Sequence, residues 1–190
     1  MSKILYNIKR VILRPLDETT GLNKTDAKAI IVTTAEEAKL KAVVSKGSEK
    51  ILRTEEVIIA TATQPDLLYG YELEFKDNTF SIEMLQLTEG GTITYDETEK
   101  TKIVGYESPL LNDGALSKPF ATEIYVEERK GSSIVGYTAL ILNYCTGLAP
   151  DFEFKRGDFY SPTFKINARE NTIANKPIKS IKFLKEIPKE

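Results

Sequence analysis

Three pairs of adjacent glutamates, Glu36-Glu37, Glu55-Glu56 and Glu127-Glu128, are the side chains in this sequence best suited to chemistry. Paired carboxylates can divide general-acid and general-base work, or hold a divalent cation. Each pair, however, has lysine or arginine close by, the pattern of a solvated and charge-compensated surface. Histidine is absent from the 190 residues. That removes the commonest proton shuttle, the commonest zinc ligand and the usual partner of a serine or cysteine nucleophile. Cys145 is the one cysteine. It has no basic neighbour in sequence, and Leu142, Tyr144 and Leu148 around it point to a buried thiol. Gly90-Gly91 precedes a strand pattern and not a helix, so it reads as a helix exit and not as a dinucleotide loop. Lys179, Lys182 and Lys185 suit a solvated edge or an electrostatic seam. Asn167-Ala168-Arg169 suits a surface turn or a contact. Neither catalysis nor a cofactor nor a metal is expected from this set.

The chain that carries these residues has the composition of a soluble globular protein, 41% hydrophobic and 28% charged, and a length suited to one well-buried core. A net charge of −2 argues against strong attraction to nucleic acid or anionic membrane. No apolar run approaches a bilayer span, and MSKILYNIKR lacks the features of a secretory leader, so folding in a cytoplasm is expected. No repeat, low-complexity tract or linker divides the sequence, and one domain over residues 1–190 is the working expectation.

The hydrophobic pattern is mainly that of strands. Val11-Ile12-Leu13 form an apolar run before Pro15, and residues 21–26 form a turn-rich loop. Strands are expected at 27–33, 56–61, 92–95, 102–106 and 178–184. Thr34-Ala35-Glu36-Glu37 has capping-box spacing and suggests a helix over 35–43, while the alternation of Lys39 and Lys41 with Leu40 and Ala42 supports an extended chain; sequence leaves both open. Residues 46–50 read as a polar turn. Tyr71, Leu73 and Phe75 alternate with Glu72, Glu74 and Lys76, and the period then changes to helical. Asp77, Asn78 and Thr79 can each cap a helix carrying Phe80, Met84 and Leu87 on one stripe and Ile82 and Leu85 on another. Two stripes suggest two partners, hence an assembly. Residues 120–128 and 133–144, joined by Arg129-Lys130-Gly131-Ser132, read as a hairpin. Loops are expected at 110–118 and at Arg156-Gly157-Asp158, and further extended chain at 152–154 and 160–168, with Pro162 at an edge or bulge. The stretch 176–190 is a basic arm.

The ordered set Leu67-Leu68-Tyr69-Gly70-Tyr71-Glu72-Leu73, Asp77-Asn78-Thr79-Phe80, Glu83-Met84-Leu85 and Gly90-Gly91-Thr92 resembles the tail tube (major tail) proteins of tailed bacteriophages of Gram-positive hosts. Tyr106-Glu107-Ser108-Pro109, Lys118-Pro119-Phe120, Gly136-Tyr137, Tyr144-Cys145 and Phe159 to Arg169 continue the likeness, which spans about residues 27–184. The resemblance implies a mainly β (α+β) fold, a β-sandwich or barrel with one flanking helix. Six copies would form a ring, with part of each sheet joining a barrel around a channel. Stacked rings would form the virion tail tube, assembled in the host cytoplasm, through which DNA passes without specific binding. A segment around 35–61 would stack rings. Phe80, Ile82, Met84, Leu85, Leu87, Val43 and Val44 would lie at subunit interfaces. Glu72, Glu74, Glu123 and Glu127 are candidates to face the lumen. Tape measure, tail terminator and baseplate proteins would be partners, with a sheath protein in a contractile tail. A tube subunit of a phage-derived contractile injection or secretion system is the alternative, and a carboxylate-based hydrolase on a β-sandwich is a third reading.

Overall fold

The computed structural model describes residues 3–110, 117–157 and 159–188. Most of the expected 110–118 loop, together with Asp158, Lys189 and Glu190, lies outside the described residues. The chain is mainly β with one helix. In order come β1 (Ile4–Pro15), β2 (Ile30–Val32), β3 (Ala35–Ser45), β4 (Glu49–Arg53), β5 (Ile58–Thr63), β6 (Leu67–Asp77), α1 (Ile82–Glu89), β7 (Thr92–Tyr95), β8 (Ile103–Glu107), β9 (Phe120–Lys130), β10 (Ser133–Gly147), β11 (Thr163–Ala168) and β12 (Lys179–Leu184). Among the described residues no helix is long and apolar enough to cross a membrane.

One large antiparallel sheet runs β2-β1-β9-β10-β11-β6-β3, and β12 pairs with β10 next to β11. β4–β5 and β7–β8 are separate hairpins. The expected β9–β10 hairpin is present: Lys130 pairs with Ser133 across Gly131-Ser132, and Gly131 takes the positive φ of 63° that this tight turn needs. The sheet curls, bringing β3 against β1. Alternate side chains of its inner face meet in one core. Val11 and Leu13, Leu73 and Phe75, Phe120 and Ile124, and Phe164 and Ile166 meet Met84 and Leu87 of α1. Phe75 stacks on Phe164 with ring centroids 5.3 Å apart. Cys145 is fully buried there, as its neighbours suggested, and burial pushes its thiol up to about 12.

The extended reading of residues 35–43 holds and the capping-box helix does not form. β2 and β3 are nearly continuous, bending at Thr33 and Thr34. β2 pairs with β1 and β3 pairs with β6, so one segment crosses from one side of the curled sheet to the other. Thr34 does not cap a helix. Its hydroxyl donates to buried Asp77, and Thr79 Oγ1 donates to the other Asp77 oxygen at 3.1 Å. Asn78 N–H donates to Thr34 O at 3.2 Å. A tertiary carboxylate outcompetes the local cap.

The same carboxylate is thereby lost to α1. Ser81, not Asp77, Asn78 or Thr79, caps the helix, accepting from Met84 N–H at 3.2 Å. Gly90 and Gly91 end it with φ of 95° and 80°, as expected. At Gly147 of β10 an added Cβ would lie 2.3 Å from Thr88 Cα, so glycine lets the helix sit directly on the strand. Pro162 precedes β11 and lies outside its paired span. β11 itself is internal, between β10 and β6, and Pro162 O accepts from Asp77 N–H at 3.0 Å. Phe152 and Phe154 start no strand. Of the basic 176–190 stretch, residues 179–184 are a strand of the main sheet and not a free arm.

The buried Asp77 carboxylate accepts from both Thr34 and Thr79, whose hydroxyls also lie 2.8 Å from each other, and removing it takes away two charge-assisted bonds at the β2–β3 corner. Asp77→Ala is expected to lower stability by about 1–3 kcal/mol. Urea unfolding reads this directly, and an unchanged midpoint would reject the corner's role.

Candidate assembly surfaces

β3 and β6 pair from Ala35 and Asp77 at one end to Ser45 and Leu67 at the other. Beyond Ser45 the two chains stay together. Gly47 N–H donates to Asp66 Oδ1 at 2.8 Å, and Gln64 N–H donates to Ser48 O at 2.9 Å. They approach so closely that a Cβ on Gly47 would strike Gln64 O at 1.8 Å. The residues expected to be a polar turn at 46–50 are therefore a joint, and β4 begins at Glu49. β4 and β5 pair only with each other, and every residue of both is exposed. Ile51 opposes Thr61 and Leu52 opposes Ala60, so both faces of this arm carry apolar side chains; Ile58 alone is 62% exposed. A two-stranded hairpin is marginal in water by itself. Val44, Leu67 and Tyr69 extend the exposed apolar surface to the base of the arm, while Val43 is half-buried.

The helix is different from its expected form. Leu85 is 4% exposed, and Met84 and Leu87 are also buried within the chain. α1 packs against β10 and β7, so Met84 and Leu87 of one stripe and Leu85 of the other are covered from inside the molecule. Tyr106 of β8 fastens the far end by donating to Gly90 O at 2.8 Å. The expectation that Met84, Leu85 and Leu87 meet a sister copy is corrected; Ile82 is half-buried. Phe80 alone of that set is substantially exposed, at 45%, because it precedes the helix. It joins a cluster that sequence reading did not find. Phe80, Phe152, Phe154 and Tyr160 lie with ring centroids 4.8–6.2 Å apart. Phe154 is 75% exposed. The density of aromatics between residues 152 and 160 was the available signal.

The four lumen candidates separate into two kinds. Glu72 and Glu74 are exposed on β6. Their cross-strand neighbours are Lys41 and Lys39 on β3, with Lys165 also opposite Glu74, so this face is a charge checkerboard and not an acidic wall. Glu123 and Glu127 are on β9, an interior strand between β1 and β10, and that position closes them off. Glu123 accepts from Tyr125 Oη at 2.7 Å and pairs with Arg14 at 3.3 Å. Glu127 is 2% exposed and is clamped by Arg129 at 3.0 Å and Lys9 at 3.8 Å. Glu128, also buried, accepts from Lys3 Nζ at 2.7 Å and Thr138 Oγ1 at 2.6 Å. The solvated reading of Glu127-Glu128 is thus corrected, and that of Glu55-Glu56 at the arm tip holds. Glu36 pairs with Lys76 at 3.0 Å on the surface.

A trough of about 1250 Å³ runs between α1 and the β1–β2 loop, with Asp17, Glu18, Glu83 and Glu107 at its walls. Hydrogen bonds from Thr19 and Thr20 hold the Asp17 carboxyl at about 2, the wrong direction for a general acid. Among the described residues no group of acidic or cysteine side chains is arranged to hold a metal ion. No protein-family model matches the chain, and no curated protein matches it.

The bonds from Lys3 and Thr138 hold the Glu128 carboxyl below its usual range. A depressed folded-state value stabilises the fold above the carboxylate range and loses that contribution as pH falls through it. The urea midpoints of wild type and Glu128→Gln are therefore expected to differ at pH 7 and to converge as pH falls below the carboxylate range. A gap independent of pH would reject the pairing.

Proposed function

We propose that this chain is a self-assembling tube subunit, the tail tube protein of a tailed bacteriophage. Copies close into hexameric rings and the rings stack into the conduit that carries DNA during ejection. The observation that supports this most is the β4–β5 arm, an apolar hairpin held clear of the body by a jointed ladder. It lies within the segment around 35–61 where the family resemblance puts ring stacking. An arm with apolar side chains on both faces and no cover in its own molecule needs another molecule to bury it.

The sheet supports ring closure in a second way. β1, β9, β10 and β12 continue past the core as an open wing, with Leu5, Ile134, Ile181 and Phe183 exposed. Among the described residues β12 pairs only with β10, so its outer edge offers backbone groups to a further strand. Joining such edges around a ring removes them. The checkerboard on β3, β6 and β11 is compatible with a channel that does not grip phosphates, since basic side chains there alternate with acidic ones. In this reading the virion tail is the protein's location and the tape measure, terminator and baseplate proteins are its neighbours. No catalytic step is assigned to it.

Negative-stain microscopy of the concentrated protein is expected to show rings or tubes, and monomers alone would refute the reading. Replacing residues 49–63 by a short Asn-Gly turn is expected to leave the thermal midpoint within a few degrees and to abolish stacking. A variant that still builds long tubes would remove the arm from the mechanism.

A further inference from the structure

We propose that the β4–β5 arm of one copy seats on the platform of Phe80, Phe152, Phe154 and Tyr160 of the next copy. The inference rests on the tube reading and names the surface that receives the stacking arm. Its basis is where the fold puts the two surfaces. The arm leaves the β3–β6 ladder at the Ser45–Leu67 end. The platform is at the other end. Phe80 follows Asp77, Asp77 N–H bonds Pro162 O, and Thr163 pairs with Lys76 and bridges to Asp151, which sets Phe152, Phe154 and Tyr160 there against Phe80. β6 is eleven residues long, about 33 Å at a strand's rise. The two surfaces thus sit at opposite ends of one rigid ladder. A copy displaced along the ladder axis presents its arm to its neighbour's platform.

The chemistry of the two is complementary. The arm supplies aliphatic side chains, among them Ile51, Leu52, Ile58 and Ile59; the platform supplies ring faces already ordered by stacking on one another. Prior order reduces the entropy lost on binding. Glu55 and Glu56 at the arm tip are exposed and acidic. Lys155 and Arg156 stand beside Phe154. Lys155 pairs with Glu153 at 3.0 Å, and Arg156 has no ion-pair partner among the described residues. The patches differ, so the contact is heterologous, and with the two surfaces at opposite ends of the ladder it repeats from copy to copy along the ladder axis.

Full-length Phe154→Glu and Ile58→Glu variants test this, because both side chains are exposed and neither change touches the core. Each is expected to keep its thermal midpoint and to raise the critical concentration for polymerisation at least about tenfold, the loss of one interface anchor. Rings formed separately from each variant and then mixed in equal amounts carry intact arms on one and intact platforms on the other, and are expected to give paired but not extended stacks. Polymerisation of Phe154→Glu at the wild-type concentration would overturn the platform while leaving the tube reading intact. If wild type forms no assembly, the tube reading fails, and a second measurement decides the contact. Ile58→Cys and Phe154→Cys chains are mixed under mild oxidation, with buried Cys145 out of reach. A 58–154 disulfide found by peptide mass spectrometry supports the contact, and its absence overturns it.

Discussion

The pairing of β3 with β6 is the interaction on which the rest of this molecule depends. It closes the sheet, because β3 is the continuation of β2 and β2 belongs to the opposite side. It also fixes direction. One end of the ladder is welded to the body through Asp77, with Thr34, Thr79 and the Pro162 carbonyl as its partners. The other end is released into solvent as an arm. A buried carboxylate with several donors is an expensive thing to leave half-satisfied. The corner is therefore the natural place for the chain to be rigid, and the arm takes its aim from it.

The parts of this fold legible in sequence are those whose environment is two-sided. In β9 one face, with Phe120 and Ile124, meets the main core and the other, with Tyr125, meets Ile12 and Ala139, and Gly131 marks the turn into β10, so the hairpin could be read directly. β4 hid from the same reasoning. With both faces in solvent, Glu49 to Arg53 has no alternation to detect. β1 was seen only at Val11 to Leu13, since register shifts beside Asn7 and Lys9 break its period further back, and Asn7 takes a φ of 61°. Thr34 shows local logic defeated. Its spacing to Glu37 is that of a helix cap, but the group that claims its hydroxyl lies far along the chain.

Charge was misread for a related reason. Glu127 and Glu128 look like surface residues because two adjacent carboxylates seldom both lose their water. Adjacent positions on a strand face opposite ways, so each finds a different set of cations: Arg129 and Lys9 for one, Lys3 for the other. Lys3 also lies over the Phe183 ring at 3.7 Å. Lys3 thereby ties β12 to β9, in the wing and not in the core. Paired charges give the wing definite geometry where apolar packing is thin. In the proposed ring, that geometry would let the wing match a neighbouring copy.

The aliphatic content of the arm then follows as a matter of selection between hazards. An exposed, apolar, two-stranded hairpin invites indiscriminate strand pairing, and natural proteins blunt such edges with charge or proline. Here β4 carries Glu49, Lys50 and Arg53 and the tip carries Glu55-Glu56, but β5 carries no charge and leaves Ile58 and Ile59 bare. Retaining them makes physical sense if a defined partner removes them from water faster than misassembly does. Burying each such side chain fully is worth about 1.5–3 kcal/mol. In the proposed tube a single arm would then bring enough to hold a neighbour, and six in a ring would act together through effective concentration. Multivalency lets each contact be weak enough to correct errors and the whole strong enough to persist.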